Sequence, residues 1–348
     1  AMPLTRRTIV QVKTEATYAI DPTPGVTDAI FVEDLSLSLN NEPQGRAMFS
    51  PSFDARRRAV LGKRSWSLSF STTLNGNTNA AAADKVPMYD AMLKACGLGA
   101  AFGAATSTHT PAATGLSSCT FWIYQDGVRY KITGCRGNVR FVLTAGEIAK
   151  AEWEFSGLYV ETPTATAVSA PDYSDLPDAP LVVSTGWNPI QIPGGDFDSP
   201  TAAEFGHIRS ATIDLRNALG TSESLSMTEG VRSHEIVGRG ETTDPGIALT
   251  FEVEQPTAHD GITAASIWSV WADRADSGLL VSSTLALVGN TSGQLNKHTF
   301  TMQTISIDDV QITDLDGRVG YTVDARILAD TALAGGDDAL LLAATNVP

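Results

Sequence analysis

Apolar and polar residues alternate with a period of two through much of this 348-residue chain, the pattern of half-buried β-strands. Leu35, Leu37 and Leu39 alternate with polar neighbours; a loop of some two dozen residues follows, then Trp66, Leu68 and Phe70 alternate with Ser65, Ser67 and Ser69. The order recurs further on. Ile213 and Leu215 precede a longer polar loop from about 217 to 245, after which Ile247, Leu249, Phe251 and Val253 stand against Thr250, Glu252 and Glu254. Each pair of strands leads to one segment of helical spacing. Tyr89, Met92, Leu93 and Cys96 fall at i, i+3, i+4 and i+7, with Asp84 as N-cap and Gly97 as the stop; Ala264, Ile267, Trp268 and Trp271 repeat the spacing ahead of Gly278.

Both halves then return to strands. Phe121 and Ile123 lead through the two-residue turn signal Asp126-Gly127 to Val128, Tyr130 and Ile132; Leu285 and Leu287 lead through a looser turn, Gly289 to Gly293, to His298, Phe300 and Met302. Each half closes on a second hairpin. Val139, Phe141 and Leu143 pass through Gly146 to Ala151, Trp153, Phe155 and Tyr159, while Val310 and Ile312 pass through Asp316-Gly317 to Val319, Tyr321, Val323, Ala325 and Ile327. A Pro-, Ala- and Thr-rich stretch, about 161 to 180, lies between them. The expected fold is mainly β: two tandem β-sandwich or small-barrel domains, residues 1–168 and 169–348, each with one packed α-helix. Long two-faced strands of this kind present edges that a filament can use.

Composition narrows the function. Residues 1–170 carry 16 basic and 14 acidic side chains, residues 171–348 carry 8 and 25, so the formal charge of -15 resides in the second half. That balance argues against a protein that grips nucleic acid through clustered cations, and leaves duplex DNA as a passing cargo. No apolar run is long enough for a membrane span, and the N-terminus with Arg6 and Arg7 lacks a signal-peptide core, so a soluble protein is expected. Cys96, Cys119 and Cys135 form no CxxC pair and read as small core residues in a reducing cytoplasm.

Candidate chemistry is sparse. His109, His207, His234, His259 and His298 are scattered without metal-ligand spacing, and neither a GxSxG elbow nor a phosphate loop occurs; no catalytic residue, cofactor or metal site is expected. Asp314-Leu315-Asp316-Gly317 opens like a calcium loop but lacks the later ligands and reads as a hairpin turn. Asn290-Thr291-Ser292 reads as a turn, and Trp268 with Trp271 as core. The sharpest local feature is Arg56-Arg57-Arg58 with Arg46, Lys63 and Arg64 nearby. It is a candidate loop for docking on an acidic neighbour, for which the other half of the chain supplies the charge.

Several segments resemble phage tail tube proteins. They are Lys13-Thr14-Glu15-Ala16-Thr17-Tyr18 with Asp21-Pro22-Thr23-Pro24, the helix end Met92-Leu93-Lys94-Ala95-Cys96-Gly97, the hairpin from Asp126 to Gly137, and the closing Phe155-Ser156-Gly157-Leu158-Tyr159. The resemblance implies the tube subunit (major tail protein) of a long-tailed, non-contractile phage of the siphovirus type. Such a subunit is part of the virion and is assembled in the host bacterial cytoplasm. It forms stacked rings around a channel for DNA ejection and meets tail terminator, tape measure and tail-tip proteins. Two fused copies per chain imply a homotrimeric, pseudo-hexameric ring in place of six chains. Within it, Lys150, Glu152, Glu154, Asp324 and Arg326 are candidate lumen-facing residues, and Arg46, Arg56, Arg57, Arg58 and Lys63 candidate contacts between rings or subunits. The alternatives are a baseplate or tail-tip ring of the same fold and, from another class, a carbohydrate-binding or enzymatic β-sandwich.

Overall fold

The computed structural model describes residues 7–45, 59–75, 88–102, 106–166, 170–173, 208–227, 229–241, 244–254, 281–288, 297–328 and 339–345. The first half contains β1 (Thr8–Thr14), β2 (Ala29–Ile30), β3 (Glu33–Gln44), β4 (Val60–Thr73), the helix α1 (Asp90–Ala95), β5 (Leu98–Phe102), β6 (Thr106–Pro111), β7 (Cys119–Gln125), β8 (Val128–Thr144), β9 (Lys150–Tyr159) and β10 (Thr164–Ala165). The second contains β11 (Ile208–Asp214), β12 (Asn217–Glu223), β13 (Val231–Glu241), β14 (Asp244–Pro245), β15 (Ile247–Glu254), β16 (Val281–Val288), β17 (Lys297–Leu315), β18 (Arg318–Leu328) and β19 (Leu340–Thr345). The molecule is mainly β, as its period-two pattern predicts.

The two-residue turns fall where glycine and aspartate allow them. Asp126 and Gly127 (φ 43° and 93°) join β7 to β8, and Asp316 and Gly317 (φ 55° and 83°) join β17 to β18. The strands read as two hairpins in each half prove to share one long strand, β8 in the first half and β17 in the second. Each carries an irregularity in mid-course, between Thr133 and Arg136 and between Ile307 and Asp309, and such bulges let a strand bend from one layer into the next. Gly134 sits in the first bulge with φ +62°, and a Cβ there would meet the Tyr18 ring at 2.9 Å.

Eight antiparallel strands follow one another across a single sheet in the order β3-β4-β9-β8-β11-β15-β18-β17. The halves are thus joined where β11 pairs with β8. They meet again through β19, which pairs with both β17 and β6. The pairing order of the first half, β3-β4-β9-β8-β7 with β10 on β8, recurs as β11-β15-β18-β17-β16 with β19 on β17. Among the described residues the strands do not close into a barrel.

Buried side chains from both halves form one contiguous core. Phe121 of β7 packs on Phe70 of β4 and Phe155 of β9, with ring centroids 5.9 and 5.0 Å apart, so β7 covers the inner face of the first half. Phe141 of β8 meets Phe300 of β17 edge-on at 5.0 Å and ties the halves together. The helix α1 turns Met92, Leu93 and Ala95 into this core and ends at Gly97, whose φ of +80° stops it. The helix begins at Asp90 with Tyr89 as its N-cap, so the expected cap Asp84, itself outside the described residues, does not start it; the second helical segment, 264–271, also lies outside the described residues.

The segment 217–245, expected as a polar loop, is instead a hairpin: β12 and β13, with β14 beside them, form a second small sheet. Hydrogen bonds tie it to the first half. Asn217 Nδ2 donates to the carbonyls of Cys96 (2.7 Å) and Gly137 (2.9 Å), and Arg239 Nη2 to that of Gly97 (2.7 Å). A surface built from such bonds carries no apolar alternation. The loop after Leu39 is likewise shorter than expected, because β3 and β4 stay paired as far as Gln44 and Val60.

Glu15 anchors the N-terminal segment. Its carboxylate is buried and accepts four hydrogen bonds, from Ser118 Oγ, Thr120 Oγ1 and the backbone N–H groups of Gly134 and Ala19, at 2.5 to 2.7 Å. Glu15→Ala leaves those donors without their acceptor and is expected to cost about 2–4 kcal/mol in urea unfolding; a loss under about 0.5 kcal/mol would show that the anchor is dispensable.

Candidate functional site

The outer face of the eight-stranded run is mostly polar, because each strand alternates inward apolar residues with outward residues that are, Val142 and Ala248 apart, largely polar. Along β9, Ala151, Trp153 and Phe155 are buried while Glu152 and Glu154 are exposed; along β18, Val323 and Ala325 are buried while Asp324 is exposed. Cross-strand register then sets the outward residues in rows. One row runs Ser71, Glu152, Arg140, Asp214, Ala248, Arg326, Ser306. Its neighbour runs Thr73, Lys150, Val142, Thr212, Thr250, Asp324, Asp309. The structure therefore brings Lys150, Glu152, Glu154, Asp324 and Arg326 onto one face, although they come from two distant parts of the chain.

The outward charges on these strands are mixed, with a small acidic excess. Glu152, Glu154, Asp214, Glu252, Asp309 and Asp324 share the face with Arg136, Arg140, Lys150, Arg318 and Arg326, and of these cations Arg140, Lys150 and Arg326 have carboxylate partners. Lys150 pairs with Glu33 (2.8 Å), Arg140 with Glu152 (3.9 Å) and Arg326 with Asp308 (2.7 Å). Asp324 accepts from Thr250 Oγ1 (2.8 Å), and Asp214 from Asn138 Nδ2 (2.8 Å). Burial, and secondarily the nearby Asp324 carboxylate, raises the Asp308 pKa. Sequence patterning missed Asp214, Arg140 and Glu252, whose place on this face follows only from strand register. A groove of about 400 Å³ opens at one end of the face, lined by Ser36, Ser38, Ser67, Ser69, Asn138 and Glu154 among others.

The candidate docking residues are divided. Arg46, Arg56, Arg57 and Arg58 lie outside the described residues. Lys63 stands on β4 and reaches Glu42 (3.4 Å) and Glu223 (2.5 Å), while Arg64 makes a two-pronged ion pair with Glu229. These cations of the first half are thus matched with carboxylates of the second within one chain.

A buried polar cluster lies under α1. Asp90 pairs with Lys94 (2.7 Å) and with His109 Nε2 (2.8 Å). Close by, Tyr89 Oη is 3.0 Å from His298 Nδ1, and His298 Nε2 is 3.1 Å from the Asn75 carbonyl. A neutral imidazole protonated on Nε2 satisfies both contacts. Cys96, Cys119 and Cys135 are free and buried, and burial pushes the Cys96 and Cys119 thiols well above their usual range. Among the described residues no group of three His, Cys, Asp or Glu could hold a metal ion, and no helix is long and apolar enough to cross a membrane.

The sequence model of the phage tail tube protein family matches residues 5–243. The chain belongs to the phage tail tube protein family. The match spans every segment on which the resemblance rested and continues past residue 168 through β11, β12 and β13. No curated protein matches the chain. Membership makes this a structural component of a phage tail that self-assembles into a tube, and the polar face and strand edges are features to be read in that light.

His298 yields a pH prediction. Burial holds its pKa at about 4, against the ordinary 6.5, with the Asn75 bond opposing and His109 assisting. The unfolded chain therefore binds a proton that the folded chain refuses, and stability falls as pH drops from 6.5 towards 4, by up to about 3 kcal/mol from this group. Denaturant titrations at pH 7 and pH 4.5 should show that loss, and His298→Gln should reduce it; an equal loss in the variant would assign it elsewhere.

Proposed function

We propose that this chain is the tube subunit of a long-tailed, non-contractile phage, and that three copies form each ring of the tube. Two fused tube-type repeats, residues 1–168 and 169–348, then give the ring pseudo-sixfold symmetry. The observation that carries this reading is the run β3-β4-β9-β8-β11-β15-β18-β17, in which each half supplies four strands to one sheet. The recurrence of the same pairing order in both halves supports the duplication.

Geometry supports the count. Three chains supply 24 strands; at about 4.8 Å spacing and a tilt near 40°, the backbone diameter is roughly 48 Å, and inward side chains reduce the bore to about 38 Å. A DNA duplex passes through such a bore. Twelve repeats in one wall would double the diameter.

In this reading the polar face lines the channel. A conduit must release its cargo, and each cation that reaches a phosphate adds affinity and friction. Carboxylates outnumber cations on this face, and Arg140, Lys150 and Arg326 are held by carboxylates, which limits attraction to the duplex. Rings stack head to tail in the virion, bounded by tail terminator and tail-tip proteins around a tape measure protein, and DNA leaves through the bore at infection.

Negative-stain microscopy of the purified chain tests the assignment. Long uniform tubes of constant width are expected. Single capped rings would move the chain to the tail tip or baseplate, and isolated particles that bind glycans would remove it from the tube altogether.

A further inference from the structure

The chain carries a template for how one copy meets the next. Residues 210–214 of β11 pair with residues 140–144 of β8, with Ile213 opposite Phe141 and both fully buried. In the second half β17 stands where β8 stands in the first. One edge of β8 holds β9 and β10 and the other holds β7 followed by β11; one edge of β17 holds β18 and β19 and the other holds β16. Val139 lies opposite Trp153, and Val310 opposite Val323, so residues 311–315 take the place of 140–144. Among the described residues no strand pairs with 311–315 on that edge. Ile312, in the place of Phe141, is 68% exposed, and Val319 beside it on β18 is 53% exposed.

At the other end of the run, β3 stands where β11 stands. Leu37 lies opposite Leu68 on β4 as Ile213 lies opposite Leu249 on β15. Among the described residues β3 has no partner but β4, and Leu35, Leu37 and Leu39 lie half-buried or exposed along it. Among the described residues, the run thus ends on one side in an uncovered strand of the kind that covers β8, and on the other in an uncovered edge of the kind that β11 covers.

We propose that β3 of a second copy of this chain lies antiparallel on residues 311–315 of β17, in the register that β11 uses on β8, with Leu37 of one copy opposite Ile312 of the next. The proposal rests on the tube reading above and specifies its interface. Backbone groups on both edges gain partners, and the exposed Ile312 leaves water against the half-buried Leu37. Because the two edges differ, the contact is head to tail, and repetition closes a ring when the rotation fits. A shift of one residue would turn Leu37 to the opposite face, so the register is strongly specified.

Directly opposed residues have Cβ atoms about 4.5–5.5 Å apart, close enough for a disulfide after small adjustment. The full chain carrying Leu37→Cys and Ile312→Cys, assembled and mildly oxidised, should give chain-to-chain disulfides that end at a closed trimer on a non-reducing gel. The pair Leu37→Cys with Gln311→Cys, on opposite faces, should give at least tenfold less. Ile312→Glu should leave the circular dichroism and melting of the free chain unchanged and raise the concentration needed for assembly at least tenfold. Tubes or rings that form without the Leu37–Ile312 cross-link, or a folded Ile312→Glu chain that assembles like the parent, overturn the interface and leave the tube reading intact. A parent chain that forms neither rings nor tubes overturns both.

Discussion

Where β11 lies on β8, five residues from each half complete one another's hydrogen bonds, and the rest of the molecule is arranged around that junction. A strand edge left open exposes unpaired N–H and C=O groups, so a two-part β protein must cover, blunt or share each edge it creates. Here the edge of the first half is given to the second. Phe141 and Ile213 are fully buried as a result, and Phe300 closes over Phe141 from the neighbouring half. The same junction makes the eight-stranded run continuous, keeps its outward residues in register, and confines the remaining open edges to its two ends.

Charge follows the same division. The basic excess of the first half and the acidic excess of the second meet inside the chain, at Lys63 with Glu223 and Arg64 with Glu229, where the β12–β13 hairpin leans on the long arm of β3 and β4. The Lys63 pair is exposed and contributes little to stability on its own, while the Arg64 pair is half-buried and two-pronged. Their service is orientation, and hydrogen bonds do the fixing: Tyr18 Oη accepts from the backbone N–H of His234 (2.8 Å) and donates to the Gly134 carbonyl (3.1 Å). Burial raises the Tyr18 pKa to about 12, so it remains a donor at every physiological pH. Of the other carboxylates of the second half, Asp214, Glu252, Asp309 and Asp324 lie on the polar face.

Much of this was legible in the sequence, for physical reasons. Trp66, Leu68 and Phe70 announce β4 because one of its faces meets a core, and Asp126-Gly127 announces its hairpin because few residue pairs accept two positive φ angles. The candidate residues on β9 and β18 are legible because they alternate with buried aromatics and aliphatics. What was hidden has a common cause. The β12–β13 hairpin is held by Asn217, Arg239 and Arg136, and polar contacts leave no periodic trace. The β5–β6 hairpin, rich in small residues and threonine, gives a pattern reading nothing to weigh, and β19 is an apolar run that pairs with β17 on one edge and, with Leu342 opposite His109, with β6 of the other half. That Lys150 and Asp324 share a row is a property of register across five strands. No local reading of the chain contains it.

The central claim is that one chain contributes eight adjacent strands to a channel wall, with their polar face inward. A helical reconstruction of assembled tubes by cryo-electron microscopy tests it most directly. The account predicts three chains in each ring, a wall of about 24 strands, and Glu152, Glu154 and Asp324 facing the bore. Six chains in each ring with the second half outside the wall, or a bore lined mainly by lysine and arginine, would contradict it.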